Sequence, residues 1–133
     1  MNTISPTTKR GMIFLFNFGT NCGSIQGGLR PAVILQCTKQ NTSSPTTIIA
    51  PLTTELKKTD MTAHILLGKR FGLRRASMIL LEQMRTVNQN DLGQYIGTID
   101  DEEIIRRINH GLCMTLGIHC VSTCNTSNKE VSA

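Results

Sequence analysis

Up to residue 99 the apolar residues of this chain fall in short alternating or continuous runs, and from Asp100 they fall at helical spacing, so the fold must accommodate both periods. DDEEIIRRINHGLCMTLG lines up Ile104, Ile105, Ile108, Leu112 and Leu116 on one face of a helix. Asp100 with Glu103 forms a capping pattern, the acids at the start suit the helix dipole, and Gly117 predicts the C-terminal stop. Ahead of the helix, GMIFLFNF carries Phe14, Phe16 and Phe18 at period two. RPAVILQ, TTIIAPLT and MTAHILL read as further strands, SMILLEQMRTV as one long or two short strands, and YIGTI as the last; NTSSPT reads as a turn. Short strands at close spacing with one terminal helix predict a mainly β (α+β) fold, a small antiparallel barrel whose helix covers one mouth or face.

The 133 residues suffice for one domain with its own core. The longest apolar runs are strand-sized and the polar start MNTISPTTKR is no signal peptide, so a cytoplasmic protein without a membrane segment is expected. Five cysteines without regular spacing fit reduced thiols better than a disulfide framework, and Cys113 reads as helix core. NHGLCMTLGIHCVSTC gathers His110, Cys113, His119, Cys120 and Cys124 but lacks a CxxC knuckle, so neither a metal site nor a cofactor is expected. Charge is uneven. Residues 1–86 hold eleven Lys/Arg against three acids, net +8, and residues 87–133 three against six, net −3. The basic part fits a polyanionic partner or a solvated lysine-rich surface; with one Tyr and four Phe, a broad stacking platform for bases is not expected.

Residues 23–31, GSIQGGLRP, form a glycine loop that delivers Arg30 into an apolar strand, with Pro31 holding that arginine extended. Locally this is either an ordinary hairpin loop or a device for placing one guanidinium. The wider pattern decides. KRG at Lys9, GSIQGGLRPAVILQ, SSPTTIIAPLT, AHILL, KRFGLRRASMILLEQMRT, LGQYIG and the helix follow one another in an order and spacing that resemble the MazF/PemK toxins of toxin–antitoxin modules. The resemblance runs over residues 9–118, leaving residues 1–8 as a flexible N-terminus and 119–133 as a disordered tail.

The resemblance implies an SH3-like barrel with an added helix, a homodimer, and endoribonuclease activity on single-stranded RNA lying across the interface. It also implies a cognate antitoxin whose C-terminal segment occupies the same groove. Arg30 and Thr53 match the family's catalytic arginine and threonine. Metal-independent RNA cleavage uses the adjacent 2′-hydroxyl as nucleophile, so the site must take its proton, stabilise the phosphorane and protonate the leaving 5′-oxygen. Arginine suits phosphate oxygens but is a poor proton acceptor, so charge stabilisation is its first role. Glu82 and Gln83 in LLEQMRT are read in two ways: as a structural pair near Arg85, or with Glu82 orienting Arg30 or handling a proton and Gln83 reading a base edge. Ser24, Gln26 and Gly28 offer loop partners to unpaired bases, and Arg85 is counted with the RNA contacts. Lys69, Arg70, Arg74 and Arg75 around Phe71-Gly72 are expected backbone contacts.

Three positions depart from the family pattern: Met12 and Ala76 stand where relatives usually carry an acid, and Ile25 where they usually carry glutamate. An active nuclease, an attenuated homologue that binds antitoxin or RNA, and the gyrase-poisoning relatives that share this barrel all remain open at this point. The residues of the RNA site argue against the last.

Overall fold

A computed structural model describes residues 8–20 and 23–119. Strand β1 (Met12–Asn17) pairs antiparallel with β2 (Leu29–Ile34), and β2 with β3 (Thr46–Thr53). β3 changes partner along its length: Thr46–Ile49 takes β6 (Arg85–Asn88), while Leu52 and Thr53 take β5 (Ser77–Leu80), which pairs with β4 (His64–Gly68). β7 (Tyr95–Thr98) lies on the free edge of β1, giving the order β4-β5-β3-β2-β1-β7 with β6 beside β3. The sheet is a half-barrel, and helix α2 (Glu102–Leu116) packs on β4 and on the 3-10 turn Leu81–Gln83.

The near-continuous apolar runs are explained by burial on both faces of the central strands. On one face Ile13, Val33, Leu52, Ile65 and Ile79 meet Ile104 and Ile108 of α2; on the other Phe16, Phe18, Ile34, Ile49 and Val87 cluster with Met12 and Phe14 against them. Period two thus sends Ile13 to the helix side and the phenylalanines to the opposite side. Each fully enclosed isoleucine contributes about 2–3 kcal/mol of transfer free energy.

The β4–β5 connection, residues 69–76, closes the open side of the half-barrel against β7. Phe71 (φ 58) and Gly72 (φ 86) turn the chain sharply. A Cβ on Gly72 would overlap the Ile96 carbonyl oxygen, and one on Gly97 the Phe71 carbonyl oxygen. Only glycines let these backbones touch.

Four details differ from the sequence reading. The first half of the expected NTSSPT turn, residues 41–43, is the end of a short helix, α1 (Thr38–Ser43), whereas SMILLEQMRTV holds two short strands, β5 and β6, as one of its two readings had it, with a 3-10 turn between them. The α2 cap is Asp101, whose side chain accepts from the Ile104 amide at 3.0 Å, one residue beyond Asp100. Leu116, placed on the apolar face, is exposed. Cys113 is disulfide-bonded rather than a reduced thiol, while Cys37 is free. Gly117 does end α2 in the left-handed conformation, φ 71. Cys22, Cys120, Cys124 and most of the expected N-terminal and C-terminal flexible segments lie outside the described residues.

Candidate functional site

The glycine loop is closed at its neck by backbone bonds from Phe18 N to Gly28 O (2.9 Å) and Gly28 N to Gly19 O (2.6 Å). Arg30 follows on β2. Its Nε donates to the Gly27 carbonyl at 2.9 Å and one Nη to the Leu52 carbonyl at 3.2 Å, which fixes the guanidinium between the loop and the end of β3. A guanidinium has five N–H donors, so donors remain for an anion. Thr53, the last residue of β3, is buried, and its Oγ1 accepts from the Glu55 amide at 3.0 Å.

Arg30 and Thr53 together line two adjoining spaces. One is a groove of about 710 Å³ walled by Arg74 and Arg75 from the 69–76 loop and by Leu29, Gln94 and Tyr95. Among the described residues no acid lines this groove, so the arginines Arg30, Arg74 and Arg75 meet no competing carboxylate from them there. Planar guanidinium groups around an acid-free groove suit phosphate oxygens. The second is a cavity of about 330 Å³ formed by Ser24, Ile25, Gln26 and Glu55 with the same Arg30 and Thr53.

Gln83 holds the loop from behind: its Oε1 accepts from the Gln26 amide at 2.8 Å and its Nε2 donates to the Ser24 carbonyl at 3.0 Å. The amide expected to read a base edge is therefore engaged with the loop backbone. Glu82 is also elsewhere. Its carboxylate meets His64 Nε2 at 3.0 Å, while His64 Nδ1 faces the Lys58 carbonyl at 3.0 Å. It lines neither space, and the bonds that orient Arg30 come from backbone carbonyls. The Glu82–His64 pair had no sequence signal, because strand pairing joins residues 18 apart in sequence.

The remaining basic residues divide. Arg85 lies over the rings of Phe16 and Phe18, 5.7 and 5.5 Å from their centroids. Arg70 pairs with Asp101 at 2.8 Å and covers Phe71 at 4.6 Å, so it serves the start of α2. The Arg70 hydrogen bond, reinforced by the Ile104 amide, holds the Asp101 carboxyl below the usual aspartate range. Lys69 is exposed. Lys69, Arg70 and Arg85 do not line either space, whereas Arg74 and Arg75 do. Among the three departures, Met12 packs in the second core cluster and Ala76 is exposed outside both spaces; Ile25 alone lines the site, 58% exposed. Among the described residues no cluster of His, Cys, Asp and Glu is arranged to hold a metal ion, and no helix is long and apolar enough to cross a membrane.

Residues 9–115 match the family described as PemK-like, MazF-like toxin of type II toxin-antitoxin system. The chain is 34% identical over 114 residues to the endoribonuclease MazF of Staphylococcus saprophyticus, covering 85% of this chain and 94% of that one. It is 35% identical over 111 residues to the endoribonuclease EndoA of Bacillus subtilis, covering 83% and 95%. The fold is similar to that of a mycobacterial endoribonuclease solved with its cognate antitoxin (TM-score 0.71, 20% identity, 86% of this chain and 98% of that one). It is also similar to MazF from Deinococcus radiodurans (TM-score 0.70, 20% identity, 85% and 99%). With the family's pattern spanning nearly the whole described chain and the Arg30–Thr53 groove in place, the chain belongs to the PemK-like, MazF-like toxins of type II toxin–antitoxin systems.

Proposed function

We propose that this toxin is an endoribonuclease that cuts single-stranded RNA by attack of the 2′-hydroxyl on the neighbouring phosphate, without a metal ion, leaving a cyclic phosphate and a 5′-hydroxyl. The observation that carries the reading is the convergence of Arg30 and Thr53 on an acid-free groove flanked by Arg74 and Arg75. Arg30, held by two carbonyls, meets the phosphate with no reorganisation, and the charge that develops on a phosphorane is where such preorganisation counts most. Thr53 sits beside it with a hydroxyl fixed by the Glu55 amide. Ser24 and Gln26, on the loop held by Gln83, face the neighbouring cavity where a base or ribose can enter.

The same reading supplies partners and setting. An antitoxin segment would compete for the groove, as expected for a family whose solved members include complexes of MazF with MazE and of an endoribonuclease with its antitoxin. Leu29 (69% exposed) and Tyr95 (50% exposed) on the groove wall support a second copy packing there. Acting on messenger RNA places the protein in the cytoplasm. Incubation with a long single-stranded RNA in EDTA should give fragments with 5′-hydroxyl ends; a strict requirement for added magnesium would refute the mechanism. Light scattering at micromolar concentration should show a dimer, and a monomer would remove the two-copy groove.

A further inference from the structure

We propose that Glu55 is the proton-accepting catalytic residue of this toxin, occupying from the end of β3 the role that a carboxylate at position 25 could have filled from the loop. The inference rests on the endoribonuclease reading above. Attack by a 2′-hydroxyl requires an acceptor for its proton, and the residues around Arg30 offer few. Guanidinium groups do not accept protons at working pH, and the Thr53 hydroxyl is a weak base. Ile25 has nothing to accept with, and Glu82 is bonded to His64 outside both spaces.

Glu55 is different. Among the described residues it is the acid that lines the cavity shared by Arg30 and Thr53, and its backbone is pinned to the site because its amide donates to Thr53 Oγ1. Among the described residues the Glu55 carboxylate makes no ion pair, so nothing holds it away from a ligand. The cavity also explains the isoleucine. With a carboxylate on the strand side, an acid at position 25 would put two like charges into one cavity of about 330 Å³, whereas Ile25 gives it an apolar wall on the loop side.

In the step itself, the Glu55 carboxylate takes the 2′-hydroxyl proton as the 2′-oxygen–phosphorus bond forms. The phosphorus–5′-oxygen bond breaks, the leaving 5′-oxygen takes a proton from water in the open groove, and Glu55 returns its proton to solvent. Arg30 stabilises the phosphorane charge throughout.

The test compares wild type, Glu55→Gln and Glu55→Asp on one RNA, with Asp60→Asn as a control for charge loss in the same connecting loop. Glu55→Gln should lower kcat at least about 100-fold with KM within about threefold, and Glu55→Asp should recover part of the rate. The deficit of Glu55→Gln should shrink as pH rises, because hydroxide replaces the missing base. Asp60→Asn should cleave at the wild-type rate. If the wild type cleaves and Glu55→Gln matches it, or loses only KM, Glu55 is not the base and the endoribonuclease reading stands. If the wild type cuts no RNA from a random-sequence pool, that reading and this inference fall together.

Discussion

At the scale of single residues, the site depends on how few atoms Arg30 is free to move. Two carbonyls fix its guanidinium, and neither belongs to a side chain that a point substitution could remove. Arg30→Ala should therefore lose about 3 kcal/mol or more of transition-state stabilisation, a rate loss above about 100-fold, with little change in melting temperature. Thr53→Ala should cost less in rate but also free the Glu55 amide, so it should lower both kcat and stability, the latter by about 1 kcal/mol. Single-turnover cleavage and thermal melts on the same preparations check both; wild-type cleavage by Arg30→Ala would assign the phosphate to Arg74 or Arg75 instead. Arg30 and Thr53 were legible through the family's motifs rather than by local pattern, and the fold brings both to one groove. The direction of Glu82 was not legible. It sits in a 3-10 turn whose side chains are aimed by what packs on them, and no local pattern reveals that His64, the first residue of β4, is waiting beside it.

Among the elements, β1 to β5, β7 and α2 were readable because each carries an apolar run or period, whereas β6, with Val87 alone buried, was legible only as the second strand in one of two readings of SMILLEQMRTV. Helix α1 carries no such period. TKQNTS is polar throughout, and what holds it is the buried Asn41 side chain, which accepts from Gln36 Nε2 (2.8 Å) and Thr47 Oγ1 (2.7 Å) and donates to the Gln36 carbonyl (3.1 Å). A helix built on a polar network leaves no hydrophobic signature. The cap of α2 leads to a pH prediction. Asp101 has a folded-state pKa below its ordinary value through Arg70 and the Ile104 amide. Its stabilisation is thus present above the ordinary aspartate range and lost as pH falls through the depressed value. Asp101→Asn retains a capping oxygen but not the charge. Its melting temperature should fall below wild type at neutral pH, and the gap should close in acid. A gap that persists unchanged well below the aspartate range would mean that the charge contributes nothing.

For the whole molecule, the uneven charge and the fold converge on one face. Arg30, Arg74 and Arg75 come from the basic part of the chain, and the fold brings them to the same groove although β2 and the 69–76 loop are far apart in sequence. Much of the acidic remainder goes to α2, where Glu103 pairs with Arg106 and Arg107 and Asp101 with Arg70. The seam at which Phe71-Gly72 meets Ile96-Gly97 then has a role besides closing the half-barrel. The loop that forms it also carries Arg74 and Arg75, while Tyr95 and Ile96 on its other side line the same groove. Any polyanion that spans the groove bridges the two sides of the joint and acts as a clasp. Amide hydrogens near residues 71–72 and 95–97 should consequently exchange more slowly when a non-cleavable RNA is bound, by a factor that grows with RNA concentration above its Kd. Unchanged exchange at saturating RNA would show that the two sides of the joint open independently of what lies between them.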